Sequence, residues 1–282
     1  MACIRRGFAT VSEGQVHYRE SGWLRSGIRP IVTLHASPGS AKTLEPLMAA
    51  LAANRRVIAP DTLGNGDSSA PAPTNGDEYP PLEYFADAHL RALDSLGIET
   101  FDLYGTHTGA NIAIEIALMA PHRVHRLVLD GVSLYATDER EELLRNYAPG
   151  VTIDRSGSHV WELWSFVRDA YLFWPWYRTD QAHCRRVGLP DADTLHDKAV
   201  EVLKAARTYH IPYNSALAYD KSGRLPLLQV PTLLACAEED VLYEYFEAVR
   251  ALLPSAKSFT TVSSHGPDLA KRCSAFLDFF GE

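Results

Sequence analysis

The chain has 282 residues, 46% of them hydrophobic, which is length enough for one large core carrying an insertion. Its 27 lysines and arginines stand against 35 aspartates and glutamates, and the net charge of −8 would repel phosphate backbones, so nucleic acid is not an expected partner. No stretch approaches the roughly 18 apolar residues of a membrane span, and the opening MACIRRGFATVSEG has no apolar run behind its basic residues, so a cytoplasmic protein away from the membrane is expected.

The alternation in Gly14–Glu20 (GQVHYRE) predicts a strand, and the apolar run Pro30–Leu34 (PIVTL) a buried strand ending at the turn HASPGS. Helical spacing over residues 41–53 follows, then a buried strand at Arg56–Ala59 and the loop DTLGNGDSSAPAP. Leu82–Leu96 reads as an amphipathic helix closed by Gly97, Thr100–Tyr104 as a strand, Ala110–Met119 as a helix and Val124–Asp130 as one more strand. Strands alternating with helices of this length predict an α/β protein with a mainly parallel, doubly wound sheet. From residue 134 the strands stop, and WELWSFVRDAYLFWPWYR packs eight aromatic residues into eighteen positions. An inserted helical cap over residues 134–219 is expected there, dividing the core into residues 1–133 and 220–282. Alternation resumes with PTLLAC (231–236), a helix over Tyr243–Leu252, the short strand SFTTV (258–262) and a last helix over Pro267–Phe280. Cys3, Cys184, Cys236 and Cys273 form no CxxC pair and read as reduced thiols.

The chemistry concentrates at Tyr104-Gly105-Thr106-His107-Thr108-Gly109-Ala110, between a predicted strand and a predicted helix. That is the setting of a nucleophile elbow, G-x-S-x-G, where a strained turn projects one side chain and small neighbours let strand and helix approach. Here the projecting residue is His107. The turn sets the Thr108 N–H at the positive end of a helix, suited to a developing oxyanion. The loop His35-Ala36-Ser37-Pro38-Gly39 offers Ala36 or Ser37 as the second donor. Asp240 follows PTLLAC and His265 follows SFTTV, which gives the chain order elbow, acid, histidine.

On these motifs the chain resembles the α/β-hydrolase fold superfamily, and within it the capped esterase, lactonase and C–C hydrolase branch, over about residues 8–135 and 217–280. HASPG is similar to the family's HG-x-PG loop with Ala36 for Gly, and RVIAPDTLGNGDSSAP resembles its loop after the third core strand. The resemblance implies Asp240 and His265 as acid and base, with Asp130, at the end of VHRLVLD, as a second possible acid. The departure is central, because GTHTG carries His107 where the family has Ser, Cys or Asp.

An atypical His-Asp-His site is therefore expected, with His107 and His265 facing one another and Asp240 fixing a tautomer. His107 would act as base toward a water, or as a nucleophile through an acyl-imidazole. The aromatic run exceeds what a small cap can bury, so Trp161, Trp164, Trp174 and Trp176 are candidates to line an apolar pocket, with His35 and His210 beside it. For Asp240 the competing reading is a solvated charge next to Glu238 and Glu239; for His35 it is a brace for its loop. No HxE or HExxH spacing supports a metal, and no cofactor is expected.

The expected function is a cofactor-independent hydrolase of a small apolar ester, lactone or C–C bonded ketone, in a monomer or homodimer. A lyase, decarboxylase or isomerase using the same histidines, and a receptor that binds without turnover, are the alternatives.

Overall fold

The structure, a computed structural model, describes residues 3–23, 27–53, 55–74 and 78–281. In chain order the first half holds β1 (Arg5–Val11), β2 (Gly14–Ser21), β3 (Ile31–Leu34), α1 (Glu45–Leu51), β4 (Val57–Pro60), α2 (Leu82–Ser95), β5 (Phe101–Thr106), α3 (Thr108–Met119) and β6 (Val124–Asp130). Four helices follow without a strand between them: α4 (Thr137–Asn146), α5 (Ser158–Leu172), α6 (Ala192–Lys204) and α7 (His210–Ala218). The chain closes with α8 (Lys221–Arg224), β7 (Thr232–Ala237), α9 (Phe246–Leu252), β8 (Lys257–Thr261) and α10 (Gly266–Gly281).

The eight strands form one sheet in the order β1-β2-β4-β3-β5-β6-β7-β8. β1, β2 and β4 pair antiparallel, and every pair from β4 through to β8 is parallel. The mainly parallel, doubly wound sheet is thus present. Side chains alternate between its faces: Val32, Ile58, Leu103 and Leu129 point into a core shared with α2, α3 and α9, while Ile31, Val57, Tyr104 and Val128 point into a core shared with α1 and α10. Strands buried on both faces need continuous apolar runs, which is why β3, β4 and β7 were readable from sequence.

Three readings differ, the simplest being the helix over Tyr243–Leu252, where a 3₁₀ turn at Tyr243–Tyr245 precedes α9. β1 was not anticipated: its leading arginines and Gly7 lack a clear alternation, and it is fixed by pairing with β2 from Arg5↔Glu20 to Val11↔Gly14. The helix over residues 41–53 is split, with a 3₁₀ turn at Ala41–Leu44 capped by the Ser40 side chain and α1 beginning at Glu45, where Pro46 suits a first turn.

The segment between β6 and β7 has a core of its own, built from Leu143, Leu163, Phe166, Leu195, Val202 and Tyr209. It is tied to the loops that follow β3 and β4. Ser40 Oγ donates to Glu201 (2.5 Å), Thr208 Oγ1 donates to the Gly64 carbonyl (2.9 Å) and Lys204 pairs with Asp67 (3.0 Å).

Candidate active site

β5 ends at Thr106 and α3 begins at Thr108, so His107 makes the whole turn alone. Its φ of 52° and ψ of −114° make it the one non-glycine among the described residues with positive φ. Such a conformation costs on the order of 1–3 kcal/mol and persists where neighbours hold it. The neighbours are visible. A Cβ at Gly105 would lie 2.3 Å from the Gly109 carbonyl oxygen, and one at Gly109 would lie 2.3 Å from that of Leu34. Both glycines of G-x-H-x-G are thus demanded by the close approach of β5, α3 and the exit of β3. The His107 N–H donates to the Asp130 carbonyl (3.0 Å), and its carbonyl accepts from the Asn111 N–H (3.1 Å).

The imidazole reaches Asp240 directly. His107 Nε2 lies 2.7 Å from Asp240 Oδ2, while the other carboxylate oxygen accepts the Leu242 N–H at 2.9 Å. A carboxylate on Nε2 fixes that nitrogen as the N–H of the neutral ring, leaving Nδ1 with a lone pair. Nδ1 has no hydrogen-bond partner among the described residues, and the side chain is about one-third exposed, at 34%. Burial alone would lower the His107 pKa, but the charge and hydrogen bond of Asp240 outweigh it and the net shift is upward. Burial likewise works against ionised Asp240, yet the facing imidazole holds its pKa down to about 2.

Gly131, at the end of β6, admits this pair. Its φ is +68°, and a Cβ there would lie 2.9 Å from His107 Cδ2 and Nε2 and 3.5 Å from Asp240 Oδ2. In the sequence it was one more glycine after a strand.

The structure does not bring His265 to the pair. That residue is exposed, its ring makes no hydrogen bond or ion pair among the described residues, and its N–H donates to Ser263 Oγ (3.1 Å). The physical reason is reach. A serine at the elbow needs an imidazole between itself and the acid, whereas a histidine spans the gap and leaves no room for a second ring. Of the three consecutive acids, Asp240 faces His107, and Glu239 holds the loop after β8 through Ser263 Oγ (2.6 Å) and the Ser264 N–H (3.1 Å).

Asp130 serves elsewhere. Its carboxylate accepts the Tyr104 hydroxyl (2.6 Å) and pairs with Arg272 on the α10 side of the sheet, so it reaches His107 through its backbone and its field. His35 is fully buried, with Nδ1–H donating to the Ala36 carbonyl (3.0 Å) and Nε2 accepting the Thr62 N–H (3.0 Å). Both nitrogens are committed, so it braces two loops instead of touching a ligand. Ala36 and Ser37 follow it on the loop against which Gly109 packs, with Ser37 Oγ donating to Asn65 (3.3 Å). Thr108 opens α3, where its N–H has no intrahelical acceptor.

The tryptophans divide. Trp161, on α5, is 67% exposed. Trp164, Trp174 and Trp176 are partly buried against the core of the segment between β6 and β7, and the Trp176 indole N–H donates to the Tyr147 carbonyl (2.8 Å). His210 lies against Gly150 with its Nδ1 buried and unpartnered, and burial lowers its pKa. Residues not singled out in the sequence act on the pair instead. The Lys198 charge opposes protonation of His107, and Arg185 favours ionised Asp240. Tyr147 is pushed up to about 12, by burial first and by Asp240 among its charged neighbours.

A family model described as alpha/beta hydrolase fold matches residues 29–152. A curated relative, 2-hydroxymuconate semialdehyde hydrolase of Pseudomonas sp. (strain CF600), is 41% identical over 105 residues, which is 36% of this chain and 36% of that protein. The chain matches less than half the length of this relative and of the next two. Among solved structures, bromoperoxidase from Bacillus anthracis superposes with a TM-score of 0.76 at 19% identity, covering 99% of this chain and 100% of that one. The enol-lactonase from Burkholderia xenovorans LB400 gives 0.66 at 18% identity, covering 98% and 100%. At these identities the structural likenesses speak to the fold.

Proposed function

We propose that this chain, a member of the α/β-hydrolase fold superfamily, is a cofactor-independent hydrolase of a small apolar ester, lactone or C–C bonded ketone, with His107 and Asp240 as a two-residue site. The observation that carries the reading is the elbow imidazole with Nε2 on Asp240 at 2.7 Å and Nδ1 left as a free base. In this mechanism Nδ1 takes a proton from water as its oxygen attacks the substrate carbonyl. The carbonyl oxygen becomes an oxyanion between the Thr108 N–H and an N–H of the Ala36–Ser37 loop. Asp240 stabilises the imidazolium through Nε2–H. When the tetrahedral adduct collapses, the bond to the leaving group breaks and Nδ1–H returns the proton to it.

Residues 134–219 act as the cap in this reading, and Tyr147 and Lys198 bring its polar groups to the site. The semialdehyde named for the 41%-identical relative supports a carbonyl substrate.

The test is turnover of aryl and alkyl esters, lactones and diketones in ¹⁸O-labelled water by wild type, His107→Ala and Asp240→Asn. Product carrying ¹⁸O, with the rate reduced about 10²-fold or more in His107→Ala, is the expected result. Turnover without ¹⁸O would transfer the same base to a lyase or isomerase, and unchanged ligand bound tightly would make the protein a receptor.

A further inference from the structure

At the far end of the sheet from His107, where β3, β5, β6 and β7 begin, lies an open cleft of about 470 Å³. Its lining includes Arg29, His122, Arg123, His125 and Arg126, and no acidic residue, in a chain whose net charge is −8. One cation is accounted for by the fold. Arg123 donates to the carbonyls of Ile98 (2.7 Å) and Glu99 (3.0 Å), just past the end of α2, and pairs with Asp94 at 2.8 Å.

The others are not. β5 and β6 lose register here: Phe101 pairs with Val124 and Leu103 with Leu127, so His125 and Arg126 together oppose Asp102. A bulge of this kind re-aims side chains. It turns His125 so that Nδ1 meets Asp102 at 3.2 Å, while Asp102 is already paired with Arg55. Nδ1–H is thereby held on the carboxylate, so Nε2 is left for the cleft as an acceptor in the neutral ring, suited to the P–O–H of a monoprotonated phosphate, and as a donor in the imidazolium. Arg126 stacks its guanidinium 5.5 Å from the Phe279 ring, its Nε is buried without an acceptor, and it forms no ion pair among the described residues. Arg29 is exposed on the rim and equally unpaired among them, as is His122. Two guanidinium forks and two imidazoles around one concavity match an oxyanion with several acceptor oxygens, and Pro121, Val230 and Pro231 give an apolar wall beside it.

We infer that this cleft is a binding site for a small molecule bearing a phosphate group, held by the guanidinium groups of Arg29 and Arg126, with His122 and His125 Nε2 beside them to meet its P–O–H or, as imidazolium, its oxygens. The site lies at the opposite end of the strands from the His107–Asp240 pair and does not depend on the reaction assigned to that pair.

The experiment is an NMR titration of the full chain with inorganic phosphate at constant ionic strength, following the imidazole resonances of His122 and His125. Saturable shifts with a dissociation constant on the order of 1 mM are expected, weakened about tenfold or more in Arg29→Gln and in Arg126→Gln. Arg126→Gln removes packing against Phe279, so Arg29→Gln, on an exposed side chain, reads binding free of any loss of fold. The inference is overturned by shifts that do not saturate, by equal saturation with acetate, or by saturable binding that neither substitution weakens.

Discussion

At His107 backbone strain and ion pairing act on one side chain. The φ of 52° is held by the close approach of Gly105, Gly109 and Leu34, and the ring is held by Asp240 and by the missing Cβ of Gly131. Gly131→Ala is therefore expected to lower kcat/KM about 10²-fold by displacing the ring, and to cost about 1–2 kcal/mol through its positive φ. Unchanged turnover alongside a lowered melting temperature would show that the ring tolerates the shift. The pH profile follows from the raised His107 pKa. A base must be neutral, so the rate climbs as pH rises through a value above the ordinary imidazole range. In Asp240→Asn that support is gone, the limb moves to lower pH, and the rate at its plateau falls about 10²- to 10⁴-fold. A limb that stays in place would assign it to another group. His107→Ser should remain inactive toward activated esters, because exposed His265 is not placed between a serine and Asp240. The reach of an imidazole against that of a hydroxyl is what hid this from the sequence: chain order named Asp240 and His265 alike, and side-chain length separated them.

Among the elements, α3 carries the elbow at one end and a buried anchor in its middle. Glu115 is fully buried, accepts from Arg224 Nε and Nη2 at 2.7 Å each and is bound by the Tyr219 hydroxyl, which ties the elbow helix to the chain leading into β7. The pair is asymmetric, since Arg224 is one-third exposed at 34%. Arg224→Ala strands a buried carboxylate and should cost about 3 kcal/mol or more, whereas Glu115→Gln frees an arginine that water can solvate and should cost less. Urea denaturation of the two variants checks the order, and equal losses would contradict it. The strand–turn–helix unit around His107 was legible because an apolar run, two glycines and a helical period agree locally. The bulge at His125–Arg126 was not, because it exists only in the pairing of β6 with β5. The aromatic run shows the same limit: residue type announces burial, but that Trp164 packs partly buried against the core between β6 and β7 is decided by the packing of α5 against α6.

On the scale of the whole molecule, the loops that hold the elbow rest on buried imidazoles. His89 is pushed down to about 3 by burial, and burial also lowers His35. Both are neutral when folded and take up protons when unfolded below about pH 6.5, so their contribution is complete above that pH and is lost as pH falls toward the folded values. Stability should therefore drop between pH 6.5 and 4 by up to about 1.4 kcal/mol per pH unit for His89, with His35 adding in the same direction, seen as a falling urea midpoint. His89→Leu should flatten the slope, and an unchanged slope would remove His89 from the account. His107 acts with the opposite sign, since its raised pKa adds stability below about pH 6.5 that is lost as pH rises through the folded value.

The imidazole in place of a hydroxyl or thiol at the projecting position of the elbow also bears on how such a protein is detected. Fluorophosphonate reagents mark hydrolases by phosphonylating an activated serine with loss of fluoride, and here the turn that would present one presents an imidazole already engaged with Asp240. A proteome surveyed with those reagents would pass over this chain however active it was.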